Sequence, residues 1–224
     1  RDSLPDIETI TDKHTMVVSL LNGVDSEELI DQRIGMEHMI YSLIRIASHR
    51  IGNSIHFSLP KGYNGIYIGI PNQPACQDPR LAAIAEIFAD TPVTLHLSDD
   101  ILLDMWDKFG LNVSRNLPQA ILGVGIGVYD DSIYTDAIMR RMRHEVVLVA
   151  NAKGIPLTDE FKAAKWLPSQ RYSTLQDLDA HRHTEIDMFS GALIRMGKEV
   201  GVECPYNEMT YNLIKALEEK NDGK

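Results

Sequence analysis

Apolar positions along the chain fall into two styles. Up to about residue 97 they come in short runs. "TMVVSLLNG" (15–23) is a continuous apolar stretch closed by Asn-Gly, which predicts a buried strand followed by a turn. "DSEEL" (25–29) opens a helix, with Asp25 or Ser26 as cap and acids in the first turn. "HMIYSLIRIA" (38–47), "SIHFSL" (54–59) and "GIYIGI" (65–70) predict three more strands, separated by Gly, Asn and Pro. "DPRLAAIAEIFAD" (78–90) reads as a short helix and "PVTLHL" (92–97) as a last strand. Strands mixed with helices predict an α/β layer.

After Ser98 the period changes to that of long helices. "SDDILLDMWDKFGLNVSRNL" (98–117) has a Ser cap and apolar residues at Ile101, Leu102, Met105 and Phe109. "DDSIYTDAIMRRMRHEVVLVANAKG" (130–154) puts Ile138, Met142, Val146 and Val149 on one stripe and stops at Gly154. Thr184 to Val200 reads as a third helix, with Ile186, Phe189, Leu193 and Val200 inward and Gly201 as its stop. "NEMTYNLIKALEEK" (207–220) is a fourth. The change of style predicts two domains, residues 1–97 and 98–224, the first α/β and the second all-α.

Charge removes several function classes. The net charge is −10, with no basic block or stripe, which argues against nucleic acid or an anionic membrane as partner. Apolar runs are too short and interrupted for a transmembrane helix. The acidic start "RDSLPDIETITD" is unlike a signal peptide, and it begins with Arg rather than Met. Cys76 and Cys204 are far apart and form no CxxC, so reduced thiols and a cytoplasmic location are expected.

Three stretches carry candidate chemistry. Lys108, Asn112 and Asn116 are spaced i, i+4, i+8 and share one broad helix face. A lysine and two amides there suit a small oxyanion or carbonyl, since a partly desolvated lysine donates a proton near neutral pH. The bland alternative is a surface ion pair with Asp104. "HRHTEID" (181–187) crowds charge onto the start of an apolar helix. Thr184 and Asp187 fit a capping box, while Glu185 suits either the first helical turn or a cleft. His181 and His183 have no evident third partner, so no metal site is expected. "LGVGIGV" (122–128) looks like a phosphate loop but is GxGxG and follows a helix, so its glycines read as close packing or a bend.

Four stretches in order, "LLNGVD" (20–25), "WDKFGLNVSRN" (106–116), "STLQDLDAHRHTEID" (173–187) and "GVECPYN" (201–207), resemble the ketopantoate reductase (2-dehydropantoate 2-reductase) family. The resemblance implies an incomplete Rossmann-like nucleotide-binding portion followed by an all-α domain. It implies NADPH-dependent reduction of ketopantoate to pantoate in pantothenate biosynthesis. Lys108 would be the general acid, and Glu185 would contact the substrate hydroxyl and hold the lysine. Asn112 and Asn116 would bind substrate, Ser173 would lie near its carboxylate, and Asn22 would lie between nicotinamide and substrate. The partner is then a small 2-keto acid, and the assembly allows a homodimer. The chain departs from the family pattern at Leu21, where Gln is usual, and at Ile126, where many members carry Asn. It also lacks the opening GxGxxG, as if it started partway through the nucleotide-binding domain. Two alternatives stay open: a reductase of another branched 2-keto acid, and a non-catalytic helical dimerisation or binding module.

Overall fold

The structure, a computed structural model, describes residues 4–46, 48–51, 53–57, 62, 64–161 and 167–223. It divides into two compact units, Arg1–Met105 and Trp106–Lys224. The composition change at residue 98 precedes that division, which falls inside a helix continuous from Ile101 to Leu111.

The first unit holds α1 (Leu4–Ile10), β1 (Val17–Val18), α2 (Ser26–Ile34), β2 (Met39–Arg45), β3 (Ser48–Ile51), β4 (Ser54–Phe57), β5 (Gly65–Gly69), α3 (Pro79–Phe88) and β6 (Leu95–Leu97). Four strands form a sheet in the order β1-β2-β5-β6. β1 runs parallel to β2, β2 antiparallel to β5, and β5 parallel to β6. β3 and β4 make a separate antiparallel pair; the apolar run from His38 holds β2, and β3 begins at Ser48, just past that run. The last two positions of the strand expected at 54–59 lie outside the described residues. Ile40, Ile66, Ile68, Leu81 and Ile84 form the core between sheet and α3. Asp78 caps α3 by accepting the N–H of Arg80 at 2.9 Å, and Pro79 suits the first turn, where no N–H is needed. The strand expected over 15–21 is shorter than predicted. Only Val17 and Val18 pair, and Leu20 and Leu21 are exposed.

The second unit is helical. The helix begun in the first unit is α4 (Ile101–Leu111), followed by a π-turn (Asn112–Asn116) and α5 (Leu117–Leu122). Then come α6 (Val128–Asp131), α7 (Ile133–Ala152), α8 (Ser173–Asp179), α9 (Ser190–Val200) and α10 (Pro205–Asn221). This is the α/β-then-α fold class expected from the hydrophobic pattern. α7 is an uninterrupted amphipathic helix capped by Ser132, whose hydroxyl accepts the Thr135 N–H at 3.3 Å. Its inner stripe is Met139, Met142, Val146 and Val149; Ile138, expected inside, is 40% exposed. The helix expected from Thr184 begins only at Ser190, and it ends at Gly201 in the left-handed conformation that glycine adopts without strain.

Candidate functional site

The expected site residues of the second unit sit on a helix that is wider than an α-helix where it matters. Lys108 is half-buried on α4, and Asn112, also half-buried, opens the π-turn. In an unbroken α-helix the N–H of Gln119 would bond to the carbonyl of Arg115. Here the Tyr129 hydroxyl stands between them. It accepts the Gln119 N–H at 3.1 Å and donates to the Arg115 carbonyl. Pro118 supplies no N–H at the next step back, and Ser114 bonds back to the Gly110 carbonyl at 2.6 Å. A side chain inserted into the ladder, beside a proline, is a sufficient cause of the wide turn. Burial pushes the Tyr129 phenol well above its ordinary range, so it stays protonated and able to donate.

Asn116, expected on one face with Lys108 and Asn112, is buried where those two are half-buried. It faces residues 168–174, a strap that turns at Pro168 and Ser169 and leads through residues 170–172 into the first turn of α8. Its Oδ1 accepts the Thr174 N–H at 3.2 Å, and its Nδ2 donates to Ser173 Oγ at 3.3 Å. Gln119, one turn on and also buried, makes the next rungs. Its Oε1 accepts the Tyr172 N–H at 2.8 Å and its Nε2 donates to the Gln170 carbonyl at 3.0 Å. Thus the structure joins Asn116 directly to Ser173, whose exposed hydroxyl opens α8. The buried Thr174 hydroxyl beside this junction has no hydrogen-bond partner among the described residues.

The other edge of the strap explains the glycine run. Ile126 N–H donates to the Gln170 carbonyl and Gly127 N–H to the Pro168 carbonyl, both at 2.9 Å. A Cβ on Gly125 would come within 2.4 Å of the Pro168 oxygen, and one on Gly127 within 2.8 Å of Pro168 Cβ. These glycines serve close backbone approach, as their context suggested. Ile126 packs in a core with Tyr129 and Met139.

The charged run "HRHTEID" does not cap a helix. Thr184 turns its hydroxyl and its backbone N–H to Glu218 of α10, both at 2.7 Å. Asp187 instead accepts the Tyr211 hydroxyl at 2.7 Å and Lys215 Nζ at 2.9 Å. The reciprocal capping box is absent, because the Thr184 N–H and the Asp187 carboxylate turn to α10; the Thr184 hydroxyl still accepts the Ile186 N–H at 3.2 Å and opens the turn that follows. Arg182 pairs with Asp177 at 2.7 Å, and His183 lies between Glu218 and Asp222. Burial alone would raise the Glu218 carboxyl, but the Thr184 bonds and the Lys215 ammonium prevail and hold it below the usual carboxylate range. Burial likewise opposes the Lys215 charge, yet Asp187 and Glu218 lift its pKa above the ordinary lysine value. Glu185 is half-buried in the following turn, where its carbonyl accepts the N–H groups of Met188 and Phe189.

Arg143 is a residue that sequence reasoning passed over. It is 1% exposed on α7 and donates to Asp107 Oδ1 at 3.2 Å and to the carbonyls of Asp107, Thr158 and Glu160. Its guanidinium lies 5.1 Å from the Phe161 ring centre, and that of Arg115 lies 4.6 Å from the same ring. A Cβ on Gly110 would come within 2.1 Å of Arg143 Nη1. The glycine inside "WDKFGLN" was the available signal, since a helix interior tolerates glycine only for a reason of this kind. Gln119 and Tyr129 were missed because their roles depend on segments distant in sequence.

In the first unit, Asn22 is half-buried in the bend after β1, and Gly23 follows with φ of 102°. The amino end of α2 beside it carries Asp25, Glu27 and Glu28. Glu27 is buried, accepts the Ser26 hydroxyl at 2.8 Å, and is raised above its ordinary pKa by that burial. Among the described residues no group of three His, Cys, Asp or Glu could hold a metal. A hollow between α9 and α10, lined by Ile194, Lys198, Cys204 and Glu208, contains none of the expected site residues.

Comparison with known proteins places this geometry in a family. The family described as ketopantoate reductase PanE/ApbA C terminal matches residues 100–218, and ketopantoate reductase PanE/ApbA matches residues 1–73. A 2-dehydropantoate 2-reductase of Streptococcus pyogenes serotype M3 is 28% identical over 227 residues, spanning 96% of this chain and 71% of that protein. A PanE/ApbA family ketopantoate reductase from Ralstonia eutropha JMP134 superposes with a TM-score of 0.81 at 24% identity, over 99% of this chain and 72% of the other. D-mandelate dehydrogenase with NADH and anilino(oxo)acetate has a TM-score of 0.84 at 24% identity, over 99% and 73%. Those two superpositions carry the fold, and the match over the helical unit, which includes Lys108, Asn112, Asn116, Ser173 and Glu185, carries the assignment: the chain belongs to the ketopantoate reductase family.

Proposed function

We propose that this chain serves the NADPH-dependent reduction of 2-dehydropantoate (ketopantoate) to pantoate. The observation that carries the reading is the junction of Asn116 with Ser173, which fixes one hydroxyl beside the helix that bears Lys108 and Asn112. Residues 1–97 would be the remainder of the nucleotide-binding domain, and 98–224 the substrate domain.

The residues divide the work. Ser173 Oγ accepts from Asn116, so its own hydrogen is available to a substrate carboxylate. Asn112 would hold the keto acid from the helix side, with Asn116 supporting Ser173 from behind. Lys108, protonated, would offset the charge that develops on the keto oxygen and deliver a proton to it. Glu185 would accept a substrate hydroxyl and keep the ammonium charged.

A reduced nicotinamide, when bound, would supply the hydride for this reduction. Asn22, in its glycine-supported bend, suits the carboxamide end of that group. The acids on the amino end of α2 suit a pyrophosphate poorly, so this part of the chain fits the nicotinamide end only. The preference for NADP over NAD is part of the proposal. A cytoplasmic location is supported by the free Cys76 and Cys204, and among the described residues no helix is long and apolar enough to cross a membrane. Exposed Ile133, Tyr134 and Ile138 at the start of α7 support a homodimer.

One observation favours a second reading. Ile126 is buried in an apolar cluster, so this position offers no polar group to a pantoate-type hydroxyl. Another branched 2-keto acid is then the substrate. NADPH oxidation by the full-length protein, with ketopantoate and with unhydroxylated branched 2-keto acids, separates the two. Turnover of ketopantoate alone supports the first reading. Faster turnover of the unhydroxylated acids supports the second, and no oxidation with either removes both.

A further inference from the structure

The reductase reading leaves unexplained why the helix carrying its proposed acid and amides is interrupted. The interruption has a definite agent. Tyr129 belongs to α6, thirteen residues after Asn116 and just past the glycine run 123–127, yet its hydroxyl occupies the hydrogen bond that would close Arg115 to Gln119. Remove that oxygen and the carbonyl and N–H are free to bond directly, which turns the π-turn back toward a regular helix. Each residue from Asn112 to Asn116 would then rotate about the helix axis. Asn116 would leave its line to Ser173, and Gln119 its line to Tyr172.

The insertion is held in place from behind. The Tyr129 ring packs with Ile126, Met139 and Phe161, and Gly125 and Gly127 let the loop lie against the strap at Pro168. The same strap is what Asn116 and Gln119 grip from the other side. Loop, strap and wide turn thus form a closed circuit of hydrogen bonds, and Tyr129 is the member that sets the helix phase.

We infer that Tyr129 is a positioning residue of the reductase site, which sets the orientation of Asn112 and, through Asn116, of Ser173 toward the keto acid. The inference rests on the reductase reading. Tyr129 touches neither substrate nor cofactor in this account. Its effect must therefore appear in keto acid binding, ahead of cofactor binding.

The test is Tyr129→Phe in the full-length protein, which keeps the ring and deletes one oxygen. Steady-state kinetics with 2-keto acid and NADPH varied separately should give a KM for the keto acid raised by about tenfold, with the KM for NADPH changed by less than about twofold. A residue that merely stabilises the fold would lower Tm and leave both KM values alone, and that outcome overturns the inference. If Tyr129→Phe fails to fold, Gln119→Met takes its place. It removes the rungs to Gln170 and Tyr172, and the same split in KM is expected. Wild-type protein that reduces no 2-keto acid sinks the reductase reading and this inference with it. An active wild type with an unaffected variant sinks the inference alone.

Discussion

α7 and the segment from Ile101 to Leu122 were written in the same sequence style, and they fold differently. α7 runs for 20 residues with a serine cap, one buried stripe and no break. The earlier segment is α-helix, then π-turn, then α-helix. The first buries apolar side chains and, through Arg143, steadies its neighbour. The second bears the proposed acid and amides. Regular helix here serves as support, and the irregular helix bears the residues proposed for the chemistry. Local departures from good helical geometry persist where surrounding contacts over-determine them, and Tyr129, Pro118 and the Ser114 back-bond do that together.

The comparison can be broken from the chemical side first. Lys108→Ala changes a half-buried residue on a helix that tolerates alanine, so the fold should survive. Its kcat should fall by about 10²- to 10⁴-fold, the usual contribution of a general acid, read by NADPH oxidation at saturating substrate. Circular dichroism should match that of the wild type. An unchanged kcat would return Lys108 to the surface ion-pair reading.

From the supporting side, Arg143→Leu should cost about 3–5 kcal/mol, because Asp107 and the carbonyls of Thr158 and Glu160 lose a buried charged donor. Urea unfolding measures it. A loss below about 1 kcal/mol would mean that water replaces the guanidinium and that α7 steadies α4 in some other way.

Smaller effects sharpen the contrast. Glu218 and Asp187 both sit below their ordinary pKa values in the folded chain. A depressed carboxylate stabilises the fold above its unfolded pKa and gives up that contribution as pH falls through the folded one. Stability should hold from neutral pH down to the ordinary glutamate value of 4.5 and decline below it. Glu218→Gln should cost about 1–3 kcal/mol at neutral pH and flatten the acid limb of a Tm-against-pH curve. Ser132→Ala, at the cap of α7, should cost about 1 kcal/mol and leave the KM for the keto acid unmoved.

Much of this arrangement was legible beforehand. Periodicity located α3, α4, α7 and α10 and the strands of the small sheet, because a two-fold or 3.6-fold pattern needs only local sequence. It failed where a distant partner decides. Nothing within "HRHTEIDMFSG" says that Thr184 and Asp187 will bond to α10, so the helix expected from Thr184 begins only at Ser190, after a turn. Nothing within "FGLNVSRNLPQ" announces Tyr129, although Gly110 and Pro118 mark the helix as unusual. Asn112, Asn116, Ser173 and Glu185 were proposed through the family resemblance, since each alone has an ordinary structural use. Arg143 looked like one more cation on a long helix until its burial was known.

The tie between residues 183–187 and α10 has a consequence for how the molecule is made. Synthesis proceeds from the amino toward the carboxyl end, so Lys108, Asn116 and Ser173 leave the ribosome well before Glu218 does. The turn holding Glu185 is fastened by Glu218 and Lys215, and Asn221 holds the Leu178 carbonyl at 2.8 Å. A nascent chain can build its wide helical turn and its strap early, but the turn that holds Glu185 is fastened only when α10 docks. Translation that stopped near residue 210 would yield a product with most of the site residues and no fixed place for Glu185.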